Sequence, residues 1–487
     1  FFFSVAVWEK RHIFVKIYCI FVTICQKNMM GYCLLSERLL KPLVESSHRL
    51  SIGDLCVSSP AYADDLTLSA LNLQSLQKLL DIVYKFSCKW RLTFNPSKCG
   101  VVVFGKDEQP DTKIFLGDDE IHRHISQIHV GTILTANKSE INKYMKDKIK
   151  KCKKASYSIP AIGSMKAPVT PISGSYVYKS ICLSKLLYGC EMIEISPGLL
   201  IEMETYQAQT AKMLQGLPEQ SCNLGSVHAI GWLSIQKQIE FKKLMFLWQV
   251  ICHPVSCIYK RLLIRRYCFI KYGGCDKSEG PLSNMLSVSA MYGLLETVEK
   301  AIETGDCMSM NMWKRLVKQI LVAHAEREWN IKAPLFPSME ILAETMPALE
   351  VNAWWAVAQQ NPCYLNSCRI IMRLLLDVHS LQNCKSRYDD DVSALCPHCE
   401  EYVCETVEHW MFECSKWGDV RHESWKDVMD NCPTDVLKTH ISGLLPRQRA
   451  KFLISCMYNS YIVEWNALYT SILNFVTKMH KIRDMEA

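Results

Sequence analysis

Apolar and polar residues alternate in different ways along this chain, and the changes of period mark its elements. Leu55-Cys56-Val57 reads as a short strand, and Leu66-Thr67-Leu68-Ser69 alternates as a half-buried strand does. Between them lies Ala61-Tyr62-Ala63-Asp64-Asp65, so the pair predicts a hairpin with two carboxylates at its tip. The period then lengthens. Leu73, Leu76, Leu79, Leu80, Val83 and Phe86 recur at helical spacing, and Asn72 can cap a helix that runs to about Trp90. Asn95-Pro96 sets a turn, and Val101-Val102-Val103-Phe104 reads as a buried strand. Phe115 to Ile121 predicts a hairpin turning at Gly117-Asp118, its acids serving as turn formers. Ile141, Tyr144, Met145 and Ile149 form the apolar side of another helix. From Pro168 to about Val378 the pattern is mostly helical, Tyr272 to Pro281 reads as a linker, and Ala450 to Ile482 as amphipathic packing helices. The class this predicts is α+β.

Composition narrows the setting. At 487 residues and 49% hydrophobic content, the chain can bury several cores, enough for two to four domains. Its 56 basic against 49 acidic residues give +7, which suits a polyanionic partner without requiring one. The 24 cysteines, about 5% of the chain, are scattered and fall well below a disulfide scaffold, which suggests reduced thiols in an intracellular protein of the cytoplasm or nucleus. The chain opens on Phe1 rather than Met, so a fragment or an incomplete gene model is expected. Ile17 to Ile24 is an apolar run behind Lys10, Arg11 and Lys16, open to a signal-peptide reading or to that of a misjoined segment. It is too short to span a bilayer, and no membrane partner is expected.

The chemistry starts at Asp64 and Asp65. Adjacent carboxylates on a rigid turn repel one another unless a cation sits between them. Mg²⁺ suits such a pair, since it takes one or two protein carboxylates and fills its shell with water and phosphate. Two such ions, roughly 4 Å apart, support phosphoryl transfer. Tyr-x-Asp-Asp also occurs at Tyr388-Asp389-Asp390-Asp391, where no apolar run flanks it and a solvated loop is expected.

The hairpin, the helix after it and the stretch Leu92-Thr93-Phe94-Asn95-Pro96-Ser97-Lys98-Cys99-Gly100-Val101 together resemble the palm of reverse transcriptases of non-LTR, LINE-type retrotransposons. The resemblance covers roughly residues 34 to 250 and 390 to 420. It implies an RNA-directed DNA polymerase that takes an RNA template, a DNA primer and deoxynucleoside triphosphates. Asp64 would be a metal ligand, Asp65 a weaker ligand or a support, and Tyr62 would lie beneath the primer terminus. Lys98 falls where the family carries a lysine near the incoming triphosphate; an exposed turn lysine is the plainer alternative. His129-Val130-Gly131 stands where the primer grip has an aromatic-Leu-Gly, which puts Gly131 at the primer. Eight lysines between Lys138 and Lys154 occupy the start of the thumb, where Lys146, Lys150 and Lys153 would meet the template-primer duplex; a solvated basic face is the alternative. The corresponding domains are an N-terminal segment 1–33, a partial palm 34–135, a helical thumb and connection 136–270, a helical region 271–385, and a zinc-knuckle-like module with its tail, 386–487.

One part of the family pattern is missing. Its polymerases carry a third carboxylate on a strand upstream of the acidic hairpin, whereas Phe1 to Gly53 contains no Asp, and only Glu9, Glu37 and Glu45 as acids. A truncated and inactive polymerase, a non-catalytic nucleic-acid-binding protein and an inert remnant therefore all stand as readings. Independently, Cys396-x2-Cys399-x9-His409-x4-Cys414 offers thiolates and an imidazole in the numbers a structural Zn²⁺ takes. Ordinary buried thiols and a core histidine are the alternative, with Cys404 a possible substitute ligand.

Overall fold

The computed structural model describes residues 17–25, 32–62, 65–94, 98–105, 110–164, 168–273, 280–346, 349–455 and 466–486. The protein is mixed and mostly helical with small sheets, which fits the α+β class. It divides into two compact units, each formed from three stretches of chain.

The first unit comprises Phe1–Lys148, Leu187–Leu199 and Ile239–Lys318. Its largest sheet is built on the strand Ile17–Cys25, the same apolar run that the sequence leaves open as a signal-like or misjoined segment. This strand pairs antiparallel with Asp65–Ala70 on one side, Tyr18 facing Ala70 and Thr23 facing Asp65. On the other side it pairs antiparallel with Gly100–Phe104, Ile17 facing Phe104. Ala61–Tyr62 lines one edge through pairing with Asp65–Ala70, and Arg123–His124 runs parallel to Gly100–Phe104 at the other. The helix Leu73–Trp90 forms where its 3.6-residue period predicts it. Asn72 caps it by accepting the Ser75 N–H at 2.7 Å. Leu73, Leu76, Leu79, Leu80 and Val83 are buried on one face, against Leu66, Leu68 and Val101 of the sheet. Residues 114–121 form the expected hairpin, with Gly117 at a φ of +68° in its turn.

The second unit comprises Ile149–Leu186, Leu200–Gln238 and Gln319–Ala487, and its described elements are helices. Its core is rich in large rings: Trp354, Trp355, Trp410, Tyr469 and Phe475 are almost wholly buried. Buried indoles need partners for their N–H groups. Trp354 donates to the Ile454 carbonyl at 2.8 Å and Trp355 to Gln215 Oε1 at 3.0 Å. No helix among the described residues is long and apolar enough to cross a membrane.

Candidate functional site

Two of the motifs singled out in the sequence meet in the first unit. Asp65 begins its strand half-buried, two residues before Thr67, whose side chain is buried. The hairpin Ser126–His129 and Thr132–Thr135 brings His129 beside them, its Nε2 3.3 Å from Thr67 Oγ1. Burial holds His129 below the usual histidine range, against the pull of the nearby Asp65 charge, so it remains neutral at pH 7. Val130 and Gly131 close the hairpin, and both take positive φ, +48° and +71°. Two tyrosines clamp this turn: Tyr188 Oη donates to the Val130 carbonyl at 2.9 Å, and Tyr144 Oη to the Gly131 carbonyl at 2.7 Å. Lys148 is buried beside both rings and donates to the Tyr188 carbonyl at 2.8 Å. Its stem packs while the ammonium gains ring faces and a carbonyl, which offsets its desolvation.

The remaining residues named in the sequence are spread more widely. Asp64 lies outside the described residues, as do Asn95, Pro96 and Ser97. Tyr62 is 67% exposed at the sheet edge. Lys98 is exposed. Along the helix Lys138–Tyr157, Lys146 and Lys150 are exposed and Lys153 is half-buried, while Met145, Ile149 and Cys152 are buried. The strand next to Asp65 carries no carboxylate at all, and the position facing Asp65 is Thr23. Among the described residues no three-ligand group forms around Asp65. A pair of magnesium ions needs more carboxylates than this, so the described residues do not fit one.

The Cys/His motif does assemble. The ligand atoms of Cys396, Cys399, His409 and Cys414 all lie within 4.8 Å of one another. Cys396 Sγ is 4.0 Å from Cys414 Sγ, and Cys399 Sγ is 3.4 Å from His409 Nε2. Ligands placed tetrahedrally around zinc would stand about 3.8 Å apart for two sulfurs and about 3.6 Å for sulfur and nitrogen, so the group fits a closed structural site. Local structure explains the convergence. A two-residue ladder, with Cys396 N–H donating to Val403 O at 2.8 Å and Glu405 N–H to Ala394 O at 2.9 Å, holds the first two cysteines in a tight knuckle. Residues five apart on an α-helix point about 140° away from each other. The π-helix His409–Glu413 winds more widely, and its closing bond from Cys414 N–H to His409 O at 2.8 Å brings both ligands to one side. Glu413 Oε2 stands 4.0 Å from His409 Nδ1, on the side away from the sulfurs, where a carboxylate orients a ligating imidazole. Cys404 is exposed and takes no part in the group. Burial pushes the Cys414 thiol up to about 12 and also raises Cys396, so a metal ion would displace protons that the buried sulfurs otherwise keep.

A second trio, Asp377, His379 and Cys384, is equally close together. It does not suit a metal. His379 Nδ1 accepts the Leu381 N–H at 3.3 Å, which leaves the ring proton on Nε2, donated to Asp377 Oδ1 at 3.2 Å. Arg387 adds a guanidinium on Asp377 Oδ2 at 2.5 Å, and Cys384 Sγ donates to the Asp377 carbonyl at 3.2 Å. This is a hydrogen-bonded knot. Nothing in the sequence distinguished it, whereas the spacing of the Cys/His group was legible.

The module around the Cys/His group is strongly acidic. From Tyr388 to Ser415 there are eight Asp or Glu residues and no Lys or Arg, in a chain of net charge +7. Tyr388, Asp389, Asp390 and Asp391 form an exposed loop. No protein-family model matches the sequence, and no curated protein matches it either.

Proposed function

We propose that this chain is an RNA-directed DNA polymerase of the non-LTR retrotransposon type, with its palm on the Ile17–Cys25 sheet and template-primer contacts from the lysines of Lys138–Tyr157. The observation that carries the reading is the meeting of two motifs distant in sequence, His129 of the grip-like hairpin on Thr67 near Asp65. The roles this reading assigns are those of the resemblance: Tyr62 and Gly131 at a primer terminus, Lys98 at a triphosphate, and Asp64 with Asp65 as the carboxylates of the hairpin, with Tyr62 and Asp65 paired across their strands. The Cys/His module contributes folding through zinc, while its acidic surface keeps it away from phosphate.

A second reading, nucleic-acid binding without polymerisation, is favoured by Thr23 at the position facing Asp65. One experiment separates the two. Primer extension on an oligo(dT)-primed poly(rA) template with Mg²⁺ or Mn²⁺, run beside filter binding of the same duplex, supports the polymerase if extension occurs and is lost in Asp64→Ala. Salt-sensitive binding with no extension supports the second reading. Absence of binding at low salt removes both.

A further inference from the structure

One opening in the second unit differs in character from the acidic hairpin. It is a cleft of about 470 Å³, bordered by residues of the 200–238 and 319–349 stretches, within the size range that small-molecule sites occupy. One wall is apolar and planar. The His228 ring stacks on Trp329 with centroids 3.5 Å apart and planes 3° from parallel, and Leu224 and Val227 extend the surface.

The polar side is unusual in its charge. The Lys237 side chain is only 6% exposed, yet its Nζ is paired at 2.9 Å with Glu328 Oε1, and Glu328 is 48% exposed. The second oxygen of Glu328 also meets Lys332 Nζ at 3.8 Å. The other acid of the cleft, Glu204, accepts the Gln236 N–H at 2.9 Å, at the start of the helix Ile235–Ile251, whose positive end holds its charge. Two ammoniums thus share one carboxylate. The more deeply buried of them, Lys237, meets a carboxylate that itself stands half in water. A buried cation requires an anion close by, but that anion need not come from the chain.

We infer that this cleft is a binding site for a small organic carboxylate with an aromatic or bulky apolar body. The ligand's carboxylate replaces Glu328 on Lys237, with Lys332 as the second cation, and its body lies along Leu224, Val227 and the His228–Trp329 pair. A charge-assisted contact in a partly buried site gives the acid its advantage over a neutral analogue. This inference is independent of the polymerase reading.

The test is calorimetric titration of the full chain with 3-phenylpropionate and with 3-phenylpropan-1-ol. The wild-type protein should bind the acid about tenfold or more tightly than the alcohol, the size of one charge-assisted hydrogen bond. Lys237→Met should remove that preference, bringing acid and alcohol to similar affinity. Glu328→Gln, which takes away the competing anion, should strengthen acid binding severalfold; a purely structural ion pair gives no such gain. Equal affinity for acid and alcohol, no heat from the acid at millimolar concentration, or undiminished acid binding in a folded Lys237→Met protein each overturns the site. Should Lys237→Met fail to fold, Glu328→Gln decides, and acid binding that is unchanged or weaker there overturns it.

Discussion

Val130 holds a φ of +48° and Gly131 one of +71° between strands paired at His129 and Thr132. A two-residue hairpin loop with both central residues at positive φ matches the demand of a type I′ turn, which Asn-Gly meets best. A β-branched side chain in that region is strained by about 1–2 kcal/mol. Val130→Asn should therefore raise stability by about 1 kcal/mol in urea unfolding, and a loss would show that the valine side chain packs better than its backbone suggests. The sequence offered Gly131 only through its resemblance to a primer-grip glycine, and neither the turn nor the strain at Val130 was legible in it. Asp377 has a similar lesson about titration. Burial alone would raise its pKa, but the hydrogen bonds from His379 and Arg387 prevail and hold it at about 2. A carboxylate lowered from its ordinary value near 4 contributes stability above pH of about 4, and loses it as pH falls toward about 2. Asp377→Asn should flatten the pH dependence of unfolding across that window. An unaltered profile would place the acid sensitivity elsewhere.

Among the elements, the helix Leu73–Trp90 was written almost completely in the sequence. Its buried face and its Asn72 cap both follow from local rules. The C-terminal helix Asn466–Glu486 was also legible as amphipathic, but what fastens it was not. Arg483 reaches Glu405 with both forks, Nε to Oε1 at 2.7 Å and Nη2 to Oε2 at 2.8 Å, and both side chains are nearly inaccessible, at 4% and 1%. The Gln382 N–H and the Ser380 carbonyl complete the cage at 2.6 and 3.1 Å. Glu405 closes the knuckle ladder through its own N–H, so this pair ties the helix to the Cys/His module. Pairing across 78 residues leaves no periodic trace. Removing one partner strands a buried charge, so Glu405→Ala or Arg483→Ala should lower stability by about 3–5 kcal/mol. Glu405→Leu with Arg483→Met together should recover much of that, since no charge is then left unpaired. Urea unfolding of the two singles and the double checks this, and additive losses would contradict it.

Over the whole chain, charge is divided more sharply than the total of +7 suggests. Lys138 to Lys154 contains eight lysines against Glu140 and Asp147, while Tyr388 to Ser415 contains only acids. Lys148 is buried at the tyrosine clamp, and Lys138 pairs with Glu194 at 3.4 Å, whereas Lys143, Lys146 and Lys150 are exposed. The spacing of the lysines and of the Cys/His ligands was readable because both depend on neighbours within a few turns. The place of Ile17–Cys25 at the middle of a sheet was not, because its partners Asp65–Ala70 and Gly100–Phe104 come from far along the chain. This division gives a test in which two interventions must behave differently. Each phosphate contact contributes about 0.7–0.9 to the slope of log affinity against log salt. Neutralising Lys143, Lys146, Lys150 and Lys153 to Gln should cut the slope for an RNA–DNA duplex by up to about 3. Chelating zinc should loosen the Cys/His module, seen as a change in tryptophan emission from the buried Trp410 and Trp417, and leave the slope unchanged. If chelation removed the salt dependence and the lysine changes did not, the acidic module would hold the nucleic acid after all, and the lysine helix would be only a solvated face.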